Sequence, residues 1–77
     1  MKFKTVKTIL TAAQENQQYG EIQLKSGSCC YFYFNESDDR KPNTIGYNSD
    51  TEIISLLKSS MDVYIDCEAI ESISVQK

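Results

Sequence analysis

Between Ser49 and Met61 the chain runs Ser-Asp-Thr-Glu-Ile-Ile-Ser-Leu-Leu-Lys-Ser-Ser-Met, and Ile53, Leu56, Leu57 and Met61 recur at intervals of three and four. That period predicts an amphipathic helix whose apolar stripe lies on a sheet, with Ser55, Lys58 and Ser59 facing water. Ser49 with Glu52 three residues on has the form of a capping box, and Asp50 adds negative charge where a helix dipole is positive. A helix of about three turns cannot bury its stripe alone. It is expected to close a domain built from the flanking segments.

Those segments carry the period of strands. Residues 3–13 fit two patterns: Phe3, Val6, Leu10 and Ala13 make a helical stripe, while Lys4-Val6-Thr8-Leu10-Ala12 alternates amid β-branched residues. No start signal precedes Phe3 and the threonines lower helix propensity, so the segment is read as a strand. Glu15 to Gln18 is a turn, and Tyr19 to Lys25 alternates with Ile22 and Leu24 inward. After the Ser26-Gly27-Ser28 turn, Cys29 to Asn35 forms the most hydrophobic strand. Cys30, Phe32 and Phe34 share one face there, and Cys29, Tyr31 and Tyr33 the other. Glu36 to Asn48 holds the only proline and is a long loop, tacked to the body by Ile45 and Tyr47. Asp62 to Cys67 alternates with Val63, Ile65 and Cys67 on one face. Glu68-Ala69 turns, and Ile70 to Gln76 ends with Ile73 and Val75 alternating. The expectation is one mainly β, α+β domain over residues 1–77, five strands and one helix.

A chain of 77 residues buries only ~60% of its unfolded surface, so disulfides, a metal or oligomerisation are natural supplements. With no His, and with Cys29, Cys30 and Cys67 in no Cys-x-x-Cys spacing, no metal or cofactor is expected. Cys29 and Cys30 point opposite ways on a strand. Cys67 reaches one of them if the two strands are neighbours, Cys30–Cys67 being the candidate pair, whereas a cytoplasmic chain is expected to keep buried reduced thiols. Catalysis is not expected either. Cysteine nucleophiles want a neighbouring base, Asp38-Asp39 lies on a loop where burial cannot tune it, and the glycines at 20, 27 and 46 make no phosphate cradle.

The formal net charge of −3 disfavours nonspecific attraction to nucleic acid or anionic membrane. Lys2, Lys4 and Lys7 make the amino-terminal segment basic, while Glu36, Asp38, Asp39, Asp50 and Glu52 make the middle acidic, a distribution that suits solvated surface or head-to-tail contact between copies. No signal-peptide run and no stretch of ~20 apolar residues is present, so no membrane insertion is expected. As it stands the sequence suggests a cytoplasmic chain; a mature secreted domain with an added Met1 would look the same.

The order of elements, with Cys30-Tyr31-Phe32-Tyr33-Phe34, then Ser55-Leu56-Leu57 through Asp66, then Ile70 and Ile73, resembles the receptor-binding B subunits of AB5-type bacterial toxins. That resemblance implies a small five-stranded OB-like barrel closed by one helix, assembled into a pentameric ring that binds glycans. A ring-forming binding module for a glycan or other small polar ligand is accordingly expected. Tyr31 and Tyr33, with Asn43 and Tyr47 of the 36–48 loop, are the candidate contacts. Two alternatives stay open: a small acidic intracellular protein that binds a host factor, as phage or mobile-element inhibitors do, and, least favoured by charge, a single-strand nucleic-acid binder that stacks bases on Tyr31 and Tyr33.

Overall fold

The computed structural model of the protein describes residues 1–76. The order of elements is α1 (Phe3–Glu15), β1 (Tyr19–Leu24), β2 (Cys29–Tyr33), β3 (Thr44–Asn48), β4 (Ile53–Leu57), β5 (Asp62–Asp66), a 3₁₀ turn (Cys67–Ala69) and β6 (Ile70–Gln76). The strands form two antiparallel sheets, ordered β2-β1-β6 and β3-β4-β5. The fold is therefore mainly β with one helix, and among the described residues the two sheets are not hydrogen-bonded into a closed barrel. The second sheet is a simple meander. The last strand returns to the first sheet, so the two are tied together through the core.

That core is one cluster. Val6, Leu10 and Ala13 of α1 meet Ile22, Phe32 and Phe34 from the first sheet and Ile45, Ile54, Leu56 and Ile65 from the second, with Cys67 and Ile70 at the corner. In strands β1, β2 and β5 the inward residues are those that alternation selects.

Two assignments change. Residues 3–13 are helix, not strand: Val6, Leu10 and Ala13, at i, i+4 and i+7, are the buried face. The helix has no side-chain cap at Lys2, so its start carries no local signal. Tertiary packing overrides the low propensity of its threonines, and two of their hydroxyls find partners: Thr8 donates to Lys4 O at 2.9 Å and Thr11 lies 3.2 Å from the Tyr47 hydroxyl. The helix ends in a Schellman arrangement, in which Gln18 N–H reaches Ala13 O, Gln17 N–H reaches Gln14 O, and Gln17 takes a φ of 52°. At the other end the Met1 ammonium donates to Cys67 O and Ile70 O, at 2.9 and 3.0 Å.

Conversely, the helix expected over 49–61 is a turn followed by β4. The capping box does not form. The Asn48 side chain accepts from the N–H groups of Asp50 and Thr51 (3.0 and 3.2 Å), an Asx turn that reverses the chain between β3 and β4, and Glu52 sits at φ 56°, which no helix interior permits. Ile54 and Leu56 then point inward at a period of two, while Leu57 and Met61 are exposed. The second half of the expected 36–48 loop is β3, in which Ile45 is buried and Tyr47 half-buried. Among the described residues these exchanges leave one α-helix but raise the strand count from five to six.

Candidate functional site

Register fixes the outer face of the first sheet. Phe34 N–H donates to Gln18 O and Leu24 N–H to Ser28 O, so the hydrogen-bonded pairs of β1 and β2 are Gly20/Phe32 and Ile22/Cys30. The intervening pairs, Tyr19/Tyr33, Glu21/Tyr31 and Gln23/Cys29, are the non-hydrogen-bonded kind, whose side chains stand closest across the ladder. All six side chains project to the side away from the core, and the Cys29 thiol donates to Gln23 Oε1 at 3.1 Å. Tyr19 and Tyr31 remain 43% and 54% exposed.

The loop after β2 adds a cation. Ser37 and Arg40 exchange backbone hydrogen bonds at 3.3 Å, closing a tight turn over Asp38-Asp39. That turn sends Arg40 back across the sheet, where its guanidinium lies 3.9 Å from the centroid of the Tyr33 ring. Stacking of this kind holds the ring and leaves guanidinium N–H groups free to donate. Tyr19, Tyr31 and Tyr33 with Glu21 and Gln76 line a shallow depression of about 400 Å³. It offers ring faces, a carboxylate, an amide and a nearby guanidinium.

Of the residues expected from the sequence, Tyr31 and Tyr33 are brought together here. Asn43 is not on this face: it is buried, its Oδ1 accepts from Tyr33 N–H at 2.9 Å, and its own N–H donates to Tyr33 O at 2.7 Å. It occupies the outer edge of β2 as a one-residue strand partner and anchors the returning loop. Tyr47 lies on the inner side of β3, edge-on to Phe3 (centroids 6.3 Å, 82°), with Lys7 Nζ 5.5 Å from its centroid. Burial raises its phenol pKa, and the Thr11 hydrogen bond lowers it in part. Tyr47 thus docks the helix on the second sheet. Two further residues, Tyr19 and Arg40, lie outside the set that the sequence pattern selects. Tyr19 shares the outward parity of Tyr31 and Tyr33, a usable signal; Arg40 gives none, because its position depends on the turn.

The cysteines are free thiols. Cys30 on β2 and Cys67 after β5 lie on elements of different sheets, so the strand neighbourhood that a Cys30–Cys67 bond presupposes is not formed. The pKa of the buried Cys67 thiol is pushed up, first by burial, then by the charges of Asp66 and Glu52, with the Met1 ammonium opposing them. The folded chain holds this proton more tightly than the unfolded chain. Stability from this group is complete below the unfolded thiol value of ~8.5 and is lost as pH rises from there through the raised folded value. Urea midpoints between about pH 7 and 9 are expected to fall on the alkaline side, and Cys67→Ala to flatten that slope.

Among the described residues no group of three or more His, Cys, Asp or Glu is arranged to hold a metal, and no helix is long and apolar enough to cross a membrane. Compared with family models, curated proteins and solved structures, the chain matches none.

Proposed function

We propose that the chain is a non-enzymatic binding module that recognises a glycan or similar small polar ligand on the outer face of the β2-β1-β6 sheet. The observation that carries this reading is the cluster of Tyr19, Tyr31 and Tyr33 on one solvent face with Arg40 stacked on Tyr33. None of these rings belongs to the core cluster. Exposed rings beside a few convergent polar groups are the composition of small-molecule sites, and the depression, about 400 Å³, falls in their range of ~300–1,000 Å³. A sugar presents one apolar face to stack on a ring and a rim of hydroxyls, for which Glu21, Gln76 and Arg40 supply acceptors and donors.

Assembly into a ring, five-fold in the toxin-subunit likeness, belongs to the same proposal. Each sheet ends in two edge strands, β2 and β6 in one, β3 and β5 in the other, and edges such as those of β6 and β3 are natural seams between copies.

The test is titration against a glycan array with Tyr19→Ala and Tyr31→Ala as variants. Each is expected to weaken binding by tenfold or more, about 1.4 kcal/mol, while the urea midpoint stays near that of the parent chain. Unfolding of either variant would make the rings structural and sink the site. A chain that stays monomeric in native mass spectra at high concentration would remove the ring.

A further inference from the structure

A second surface lies between the sheets, where the edge strands β2 and β5 flank a groove of about 520 Å³. Its floor is apolar, with Leu24, Cys30, Val63 and Ile65 among the lining side chains, and Met61 and Tyr64 stand at its rim, 59% and 68% exposed.

The backbone along this rim is unpaired. Lys58 N–H donates to Met61 O and Cys67 N–H to Glu52 O, which places the β4–β5 ladder bonds at Leu56/Val63 and Ile54/Ile65. Alternation then turns the N–H and C=O groups of Asp62 and Tyr64 away from β4, along the free edge of the sheet. Among the described residues no backbone group accepts from or donates to them. On the opposite wall, among the described residues, the β2 edge is blocked only at Tyr33, whose outward groups are taken by Asn43, beyond the residues that line the groove.

We propose that this groove receives an extended segment of a partner protein, added as a strand along β5. Charge selects its composition. Asp62 and Asp66 stand exposed on β5, on the same face as Tyr64, and the inward positions Val63 and Ile65 are apolar. A strand laid beside β5 sets alternate side chains next to these two faces. The partner segment therefore alternates apolar residues, directed to the floor, with basic residues beside the two aspartates. Main-chain hydrogen bonds supply the affinity and this alternation the selectivity.

The probe is an eight-residue peptide of alternating Val and Lys, compared with two analogues, one methylated on the lysine backbone nitrogens and one on the valine nitrogens. Net charge is the same in all three. In an antiparallel addition the residues bonded to Asp62 and Tyr64 carry their side chains on the outer face, so they are the lysines. The parent peptide is expected to slow amide exchange at Asp62 and Tyr64. The lysine-methylated analogue should bind at least tenfold more weakly and the valine-methylated one within about threefold of the parent; the reverse order would mean a parallel added strand and supports the proposal equally. Equal binding by all three peptides, equal loss by both analogues, or no protection at millimolar peptide overturns it. Protection of Asp62 and Tyr64 that rises with protein concentration in the absence of peptide also overturns it, because the occupant would then be a second copy of this chain.

Discussion

Leu56→Lys is expected to leave the chain unfolded at room temperature, and Leu57→Lys to leave it folded. The two leucines are adjacent and chemically identical, so the contrast isolates their geometry. On a helix both would belong to the apolar stripe with Ile53 and Met61, and a charge at either would be severe. On β4 they face opposite ways: Leu56 is 0% exposed within the core and Leu57 is 39% exposed on the outer face. A lysine at 56 would bury an unpaired ammonium among Ile45, Ile54 and Val63, at a cost of ~5 kcal/mol or more. A chain of this size holds a total of ~5 kcal/mol. A lysine at 57 would stand across the ladder from Asp62, in a non-hydrogen-bonded pair whose side chains are close, and should shift stability by no more than ~1 kcal/mol. Far-UV circular dichroism and urea titration of the two variants read this directly. Equal loss in both would return the segment to a helix.

The same residues explain what could be seen in advance. Strands β1, β2, β5 and β6 were visible because each alternates between turn residues, and alternation fixed which faces of β1, β2 and β5 are dry. The two segments that exchanged structure are those in which both periods fit. In residues 3–13 the stripe Phe3, Val6, Leu10, Ala13 was correct, but no cap announced it, since the helix start is held by contacts with the distant Cys67 and Ile70 carbonyls. In 49–61 the capping pattern was local and plausible, yet Asn48, one residue earlier, takes the same backbone donors in a turn. A short polar side chain that accepts from N–H groups two and three residues on begins an Asx turn as readily as a helix. What decides is the sheet partner, and β3 lay hidden in a segment whose Pro42 and Gly46 read as loop.

The candidate site follows the same division. Tyr31 and Tyr33 are legible in the sequence because parity within one strand is local information. Tyr19 needed only the same parity carried across the β1–β2 turn. Asn43 looks like a surface loop residue in the sequence and Tyr47 like both a tack to the body and a ligand contact, whereas Asn43 completes the edge of β2 and Tyr47 the seat of the helix. Both roles are long-range pairings that no spacing encodes.

Gly20→Ala carries the other large effect, and it links the core to the tyrosine face. Gly20 lies in β1 between Tyr19 and Glu21, opposite Phe32 on one side and Val75 on the other. A Cβ there would overlap the backbone carbonyl oxygen of Ser74 in β6 and stand 2.8 Å from Phe32 Cζ, at the centre of the core. Neither neighbour can yield cheaply: the first is main chain in a central ladder, and the second is a fully buried ring in contact with Phe34. One methyl is therefore expected to cost at least ~3 kcal/mol, at the upper end for overpacked cores. Gly27→Ala is the control. Its φ of 96° disfavours a side chain, but nothing lies within 4 Å of the added carbon, so the cost is backbone strain of ~1 kcal/mol. Urea midpoints should separate the two substitutions clearly. Because relief of the overlap requires β1 and β6 to part, any folded Gly20→Ala population should also lose the alignment of Tyr19 with Gln76, both of which line the depression, and bind ligand more weakly than Gly27→Ala. If both variants were equally stable, the close approach of β1 to β6 would be wrong, and with it the register that sets Gln76 beside Tyr19.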